Sequence, residues 1–337
     1  MTVIGFHASH EQVHPSALLD AVQAAEQAGF TAAMCSDHFF PWSERQGQSA
    51  FSFAWLGAAL QATSLPFGMV TAPGQRYHPA IAAQAMATLA AMYPGRFWAA
   101  LGSGQNLNEH ITGDAWPRKE VRQARLRECV DVMRLLFTGE MVSHDGLVTV
   151  DRARLFTLPE PADQPALLAA CVSPPTARWA AQWADGLITV NQPIDVLRDV
   201  VDQYRDAGGR GPLCLQVHLS YAADDETAFA LAADQWSGNL APPPVTWDLA
   251  THEDFDKLSA LYPPERIRES VRISPDPAQH GAWIAEYADL GFDRIFLHHV
   301  GKEQREWIDV FGEHVLPQLD VTAPQPVGTY RSIGTAP

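Results

Sequence analysis

Short apolar runs alternate with longer amphipathic stretches along most of the chain. The runs fall at 2–8, 30–36, 65–71, 96–102, 165–172, 186–190, 213–222 and 293–300. They are apolar on both faces, as strands of a buried parallel sheet must be. Between them lie helical patterns at about 15–29, 51–62, 79–92, 119–137, 174–184, 194–207, 225–236 and 303–318. Several open on proline and close on glycine: Pro15 and Gly29 bracket the first, and Gly139 ends the fourth. Eight such units predict an α/β fold, a (β/α)8 barrel before a doubly wound sheet. Two insertions interrupt the count. Residues 140–160 read as a hairpin around a His-Asp-Gly turn. Residues 238–275, rich in proline, read as a lid or rim. One barrel domain over 1–320 is expected, with a tail at 321–337 that has no periodicity.

Composition narrows the setting. The chain has 337 residues, 47% of them hydrophobic, ample for one large core. Lys plus Arg number 23 against 39 Asp plus Glu, a net charge of −16. Such a surface repels polyphosphate backbones, so neither nucleic acid nor an anionic membrane is expected as partner. No run of apolar residues is long enough for a membrane span, and the N-terminus carries no secretory signal. Cys35, Cys129, Cys171 and Cys214 are far apart and mostly in apolar runs. They read as buried free thiols of a reducing compartment, and a cytoplasmic protein is expected.

In a barrel, the strand carboxyl ends and the loops after them carry the chemistry. The second run ends in Ser36-Asp37-His38, followed by Pro41-Trp42. An acid and an imidazole delivered there are either reactive groups or a pair that only caps the next helix. The first loop brings Ser9, His10 and Glu11, and the third run ends Met69-Val70-Thr71. Small residues after the fourth run, Gly102-Ser103-Gly104, let a flat ligand or a phosphate approach the backbone. Ser173 stands where a helix begins, either as a plain N-cap or as part of a phosphate site. Of many histidines, His7 and His10 are three apart and so point to opposite faces. Adjacent His298 and His299 do the same, which counts against a metal-dependent hydrolase. His218 and His299 read as core or rim histidines.

The segments Asp37-His38-Phe39-x-Pro41-Trp42, Leu101-Gly102-Ser103-Gly104-x-x-Leu107-Asn108-Glu109, Arg76-Tyr77-His78-Pro79 and Ala8-Ser9-His10-Glu11-Gln12 together carry a resemblance. The chain resembles the luciferase-like superfamily over about residues 3–318. Within it, the likeness is to the branch of F420-dependent glucose-6-phosphate dehydrogenases and their alcohol-oxidising relatives. It is closer still to a neighbouring group of flavin oxidoreductases held not to use F420. The resemblance implies a flavin or the deazaflavin F420 at the carboxyl face, and hydride transfer with a small hydroxyl or carbonyl substrate. It implies His38 as base, with Trp42 and Glu11 assisting. It implies Asp37, Gly102, Ser103, Gly104 and Asn108 at the cofactor, and a supporting bulge at Met69-Val70. Homodimers are common in the branch. A neighbouring carboxylate is expected to orient His38 and raise its pKa, because an imidazole near neutrality is an efficient proton acceptor.

The chain also departs from that branch. Gln105 holds the place of a glutamate that acts as acid, and an amide cannot donate a proton and recover it. The basic cluster for a sugar phosphate is missing. Asn191-Gln192-Pro193 follow the sixth run, Ser270 stands where an arginine is expected, and Lys257 alone is a candidate member. Glucose 6-phosphate is therefore not the expected substrate. Val172-Ser173-Pro174 replace a Gly-Gly that meets cofactor phosphate, so FMN stands beside F420 as cofactor. The alternative activity is that of a reduced-FMN monooxygenase consuming oxygen.

Overall fold

The computed structural model describes residues 2–241 and 244–322. Strands β1 (Val3–Ala8), β2 (Ala32–Ser36), β3 (Phe67–Thr71) and β4 (Phe97–Leu101) come first. Next are β5 (Val142–Asp145) and β6 (Thr149–Ala153), then β7 (Leu167–Ala170) and β8 (Leu187–Val190). Last are β9 (Leu213–Ser220), β10 (Arg272–Ile273) and β11 (Arg294–His299). One sheet runs β10-β9-β11-β1-β2-β3-β4-β7-β8, and β9 also pairs with β8. That last pairing closes a barrel of eight parallel strands, one for each apolar run of the sequence. Two-residue β10, not expected from the sequence, extends the end of β9 at Leu219 and Ser220.

The outer ring comprises α1 (Pro15–Gln27), α2 (Ser52–Ala62), α3 (Pro79–Met92), α5 (Lys119–Phe137), α6 (Pro174–Ala180), α7 (Ile194–Asp206), α8 (Asp225–Trp236), α11 (Pro277–Asp289) and α12 (Arg305–His314). Short α4 (Asn106–Glu109) follows β4, and α9 (Val245–Asp248) and α10 (His252–Ser259) lie in the second insertion. Helix α11 was not foreseen, although Asp276 caps it and Pro277 opens it. The first insertion is the antiparallel hairpin β5–β6, held to α5 by His144 and Glu128 at 2.8 Å. No residue of it lines the cleft described below. Of the expected tail, Val321 forms a bridge with Thr2. Residues 323–337, and Pro242-Pro243 of the second insertion, lie outside the described residues.

Two large rings fill the barrel interior. Trp98 of β4 and Phe296 of β11 meet at 5.8 Å between centroids, beside Met34, Leu168 and Cys214. Each ring crosses a glycine on the neighbouring strand. A Cβ on Gly68 would lie 2.0 Å from the Trp98 ring, and one on Gly5 would lie 2.3 Å from Phe296. The plug closes the barrel from below, so one layer higher the inward positions are free to be polar. All four cysteines are free and buried.

Burial leaves several histidines neutral, with consequences for stability. His10, His218 and His299 are each pushed down to about 3 by loss of solvation. Their unfolded counterparts titrate near ~6.5. The stability they contribute is complete above that pH and is lost as pH falls toward 3. Glu11, shifted the opposite way, offsets one of them. The urea midpoint is therefore expected to fall already between pH 6.5 and 5, where ordinary carboxylates stay ionised. A midpoint constant over that window would contradict the buried neutral state.

Candidate active site

The loop after β2 is held by a buried ion cluster. Asp37 accepts from Thr71 Oγ1 at 2.9 Å, Arg76 Nη2 at 3.1 Å and Tyr77 Oη at 3.3 Å. Arg76 also lies 3.6 Å from Glu109, and its backbone N–H donates to Glu109 Oε2 at 2.7 Å. One guanidinium thus ties the loops after β2, β3 and β4 together. Arg76 and Glu109 were visible only as motif letters; their charges on separate loops gave no sign of pairing. Removing a partner from a buried pair leaves an uncompensated charge, at a cost of about 3–5 kcal/mol. Arg76→Ala is expected to lose stability of that order in urea unfolding, and a loss under ~1 kcal/mol would place the guanidinium in solvent.

Asn108 fixes the state of His38. Its Oδ1 accepts from the backbone N–H groups of Phe39 at 2.8 Å and Phe40 at 3.3 Å. Its amide nitrogen must then face His38 Nδ1, 3.2 Å away. A neutral imidazole has one N–H. With Nδ1 accepting, the proton sits on Nε2 and points to Glu11 Oε1 at 3.4 Å. Ser9 Oγ donates to the other oxygen of Glu11 at 3.0 Å. The Trp42 ring stands 5.2 Å from that of His38 and is braced edge-on by Phe255 of α10. The second insertion therefore forms the rim that positions Trp42.

The electrostatics reverse one expectation. Burial, then the nearby charge of Arg76, push His38 down to about 4, and Asp37 opposes this without winning. Burial pushes Glu11 up to about 7 against the hydrogen bond from Ser9. The carboxylate does not raise the imidazole, because Glu11 is itself buried and half neutralised at pH 7. The titrating member of the pair near neutrality is Glu11.

These groups line a cleft of about 420 Å³ at the carboxyl ends of the strands, within the ~300–1,000 Å³ usual for small-molecule sites. Glu11, Asp37, His38, Trp42, Val70, Gly102, Ser103, Gly104, Gln105 and Asn108 all border it. Gln105 accepts from Asn108 Nδ2 at 3.4 Å. Met69 and Ser173 do not border it. Met69 has the outward parity of its strand and is fully buried beneath the helices. The register of β3 is unbroken on both sides through Met69 and Val70, so no bulge occurs there. Ser173 occupies the N-cap position of α6 but caps no backbone N–H, because its hydroxyl pairs with Thr176 Oγ1 at 2.9 Å.

The wall beside Val70, at the end of the neighbouring strand β4, is bare. A Cβ on Gly102 would meet only Ala170 at 3.8 Å and Thr71 at 3.9 Å, so backbone faces the cleft there. Lys119 and Arg122, unremarked in the sequence, stand at the mouth. Lys119 Nζ donates to Thr176 Oγ1 at 3.2 Å. Buried Arg122 stacks on Trp116 at 4.3 Å, and its Nε has no partner among the described residues. The arrangement suits a flat ring against the bare wall with an anionic tail toward the mouth. The floor holds His7, Gln216, His218 and His298. His7 and His298 stack at 4.3 Å and 21°, so their nitrogens do not converge on one point. Among the described residues, no three or more His, Cys, Asp or Glu are arranged to hold a metal ion. Among the same residues, no helix is long and apolar enough to cross a membrane.

Comparison with known proteins places the chain. The family model for luciferase-like monooxygenases matches residues 1–294. The F420-dependent glucose-6-phosphate dehydrogenase of Nakamurella multipartita is 33% identical over 328 residues, covering 94% of this chain and 96% of that one. Its counterpart from Microbacterium testaceum is 32% identical over 331 residues, covering 94% and 96%. Among solved structures, an F420-dependent secondary alcohol dehydrogenase bound to an F420-acetone adduct is similar, at TM-score 0.86 and 31% identity. That match covers 94% of this chain and 99% of that one. A riboflavin lyase with modified FMN shares the fold, at TM-score 0.74 and 15% identity, covering 98% and 94%. The chain belongs to the luciferase-like monooxygenase family, and it is an oxidoreductase of that family.

Proposed function

We propose that this protein transfers hydride between F420 or FMN and a small hydroxyl or carbonyl substrate other than glucose 6-phosphate. The observation that carries the reading is the buried Glu11–His38 pair, with Trp42 beside it, in a cleft shaped for a flat ring. When bound, F420 or FMN supplies the ring that accepts or returns the hydride. The bare backbone at Gly102 and the small side chains of Ala72 and Ala170 would seat the ring. Lys119, Arg122 and Thr176 would hold the anionic tail. Asp37 would act through the loop it anchors, since its carboxylate is already engaged by three donors.

The proton follows from the tautomer. An alcohol must lose its proton as hydride leaves carbon. His38 Nε2 already carries the imidazole proton and has no lone pair to offer, so the alcohol proton goes to the ionised Glu11 carboxylate. His38 Nε2–H orients that carboxylate and donates toward the substrate oxygen. Glu11, poised near neutrality, holds the proton at the end of that step. Among the described residues that line the cleft, no Lys or Arg comes from the segments of Asn191, Gln192 and Ser270, which supports an uncharged substrate. A homodimer in the cytoplasm completes the reading, and sedimentation of the purified chain checks the dimer.

The reading is tested anaerobically. With F420 bound, addition of a small secondary alcohol such as propan-2-ol is expected to bleach the ring absorbance with no oxygen present. A turnover that begins only when oxygen is admitted, with reduced FMN bound, would replace it by the monooxygenase activity.

A further inference from the structure

The floor of the cleft holds a directed hydrogen-bond chain that the proton transfer does not use. It starts at Gln12, whose Nε2 donates to the backbone carbonyl of Val300. A carbonyl only accepts, so the amide orientation is fixed. Gln12 Oε1 therefore faces His298 Nε2, 2.8 Å away, and that nitrogen must carry the proton. His298 Nδ1 is then a lone pair, and it meets Gln216 Nε2 at 3.2 Å. The second N–H of that amide donates to His218 Nε2 at 3.1 Å. The proton of His218 is left on Nδ1. That nitrogen has no partner among the described residues, and Gln216 Oε1 accepts from none of them. Both residues line the cleft, and Trp236 packs on the rings of His218 at 4.7 Å and His298 at 4.8 Å.

We propose that His218 Nδ1–H and Gln216 Oε1 form a donor–acceptor pair that docks an uncharged polar group of the substrate, a carboxamide or a hydroxyl. Such a group offers an oxygen to the donor and an N–H or O–H to the acceptor. A carboxylate or phosphate would set its charge against the lone pairs of Gln216, with no free cation among the described residues that line this side. Arg76 is engaged by Asp37 and Glu109. Lys119 and Arg122 lie across the barrel, on the helix after β4. The chain of bonds polarises the donor and fixes its direction before any ligand arrives. The docking role rests on the hydride-transfer reading; the tautomers do not.

The test is ¹⁵N-histidine NMR of the full cofactor-free chain at pH 7, with His218→Leu assigning the signal. His218 is expected to be neutral with its proton on Nδ1, and His298 neutral with its proton on Nε2. Lactamide, a secondary alcohol with an uncharged carboxamide, is expected to move the His218 ring signals. Lactate at the same concentration is expected to leave them in place. Loss of one donor in His218→Leu is expected to weaken lactamide about tenfold or more. His218→Asn places an amide N–H where Nδ1 stood and is expected to stay within about threefold. A proton found on His218 Nε2, an equal response to lactate, or no response to either probe overturns the proposal. None of these outcomes involves F420 or FMN, so a failure here and a failure of the cofactor reading are separately visible.

Discussion

Replacing His38 with alanine is expected to lower turnover by ~10²–10⁴ while leaving affinity for F420 or FMN within about threefold. The first half follows from position. His38 Nε2–H orients the Glu11 carboxylate that takes the substrate proton, and removing it leaves that acceptor unpositioned and the substrate oxygen without its donor. The second half follows from how the loop is held. Without the imidazole, Asn108 still accepts from the Phe39 and Phe40 backbone and still donates to Gln105. Asp37 still has Arg76, Tyr77 and Thr71. The cleft therefore keeps its shape. Equilibrium binding beside steady-state kinetics separates the two halves. A collapse of cofactor affinity together with turnover would make His38 a structural residue.

Glu11→Gln carries the second large effect, and its signature is a pH profile. Burial sets the Glu11 carboxyl at about 7, so its basic form accumulates as pH rises through neutrality. Alcohol oxidation by the natural chain is expected to rise over that range. The amide oxygen still accepts from His38 Nε2–H, its N–H now donates to Ser9 Oγ in place of the reverse bond, and it cannot take up a proton. Turnover is expected to fall about 10²-fold, and the inflection near pH 7 is expected to vanish. The group shifted to about 4, His38, then governs what pH dependence remains. Because the variant removes a buried ionising group, it is expected to be no less stable than the natural chain at pH 8. An inflection that persists near 7 in Glu11→Gln would assign it to another group and remove Glu11 from the proton path.

The barrel was legible because parallel strands buried on both faces leave compact apolar runs, and each of the eight runs became a strand. The loops after β1, β2 and β4 were legible as sites through motif letters, and Glu11, His38, Trp42, Gln105 and Asn108 do meet in one cleft. What escaped depends on direction and pairing. Met69 was placed at the ring, but strand parity turns it outward. Ser173 reads from the sequence as a plain N-cap or part of a phosphate site; its hydroxyl pairs with Thr176 and caps no backbone N–H, and the residue does not border the cleft. His218 was set aside as core or rim, although it shares the inward parity of Cys214 and Gln216, which a count along β9 would have found. The pKa of His38 went the wrong way because sequence adjacency suggests a charge partner but not the burial that outweighs it. Helix α11 was missed although Asp276-Pro277 marks its start.

The proposed binding of F420 or FMN in this cleft is decided by direct titration. Purified protein is titrated anaerobically with F420 and with FMN, each oxidised and reduced, and binding is followed by ring fluorescence. Saturable binding of F420 or FMN, weakened in Arg122→Ala, is the result expected from a ring on the Gly102 wall and an anionic tail at the mouth. Binding of neither cofactor in either redox state would contradict a flavin or deazaflavin site in this cleft.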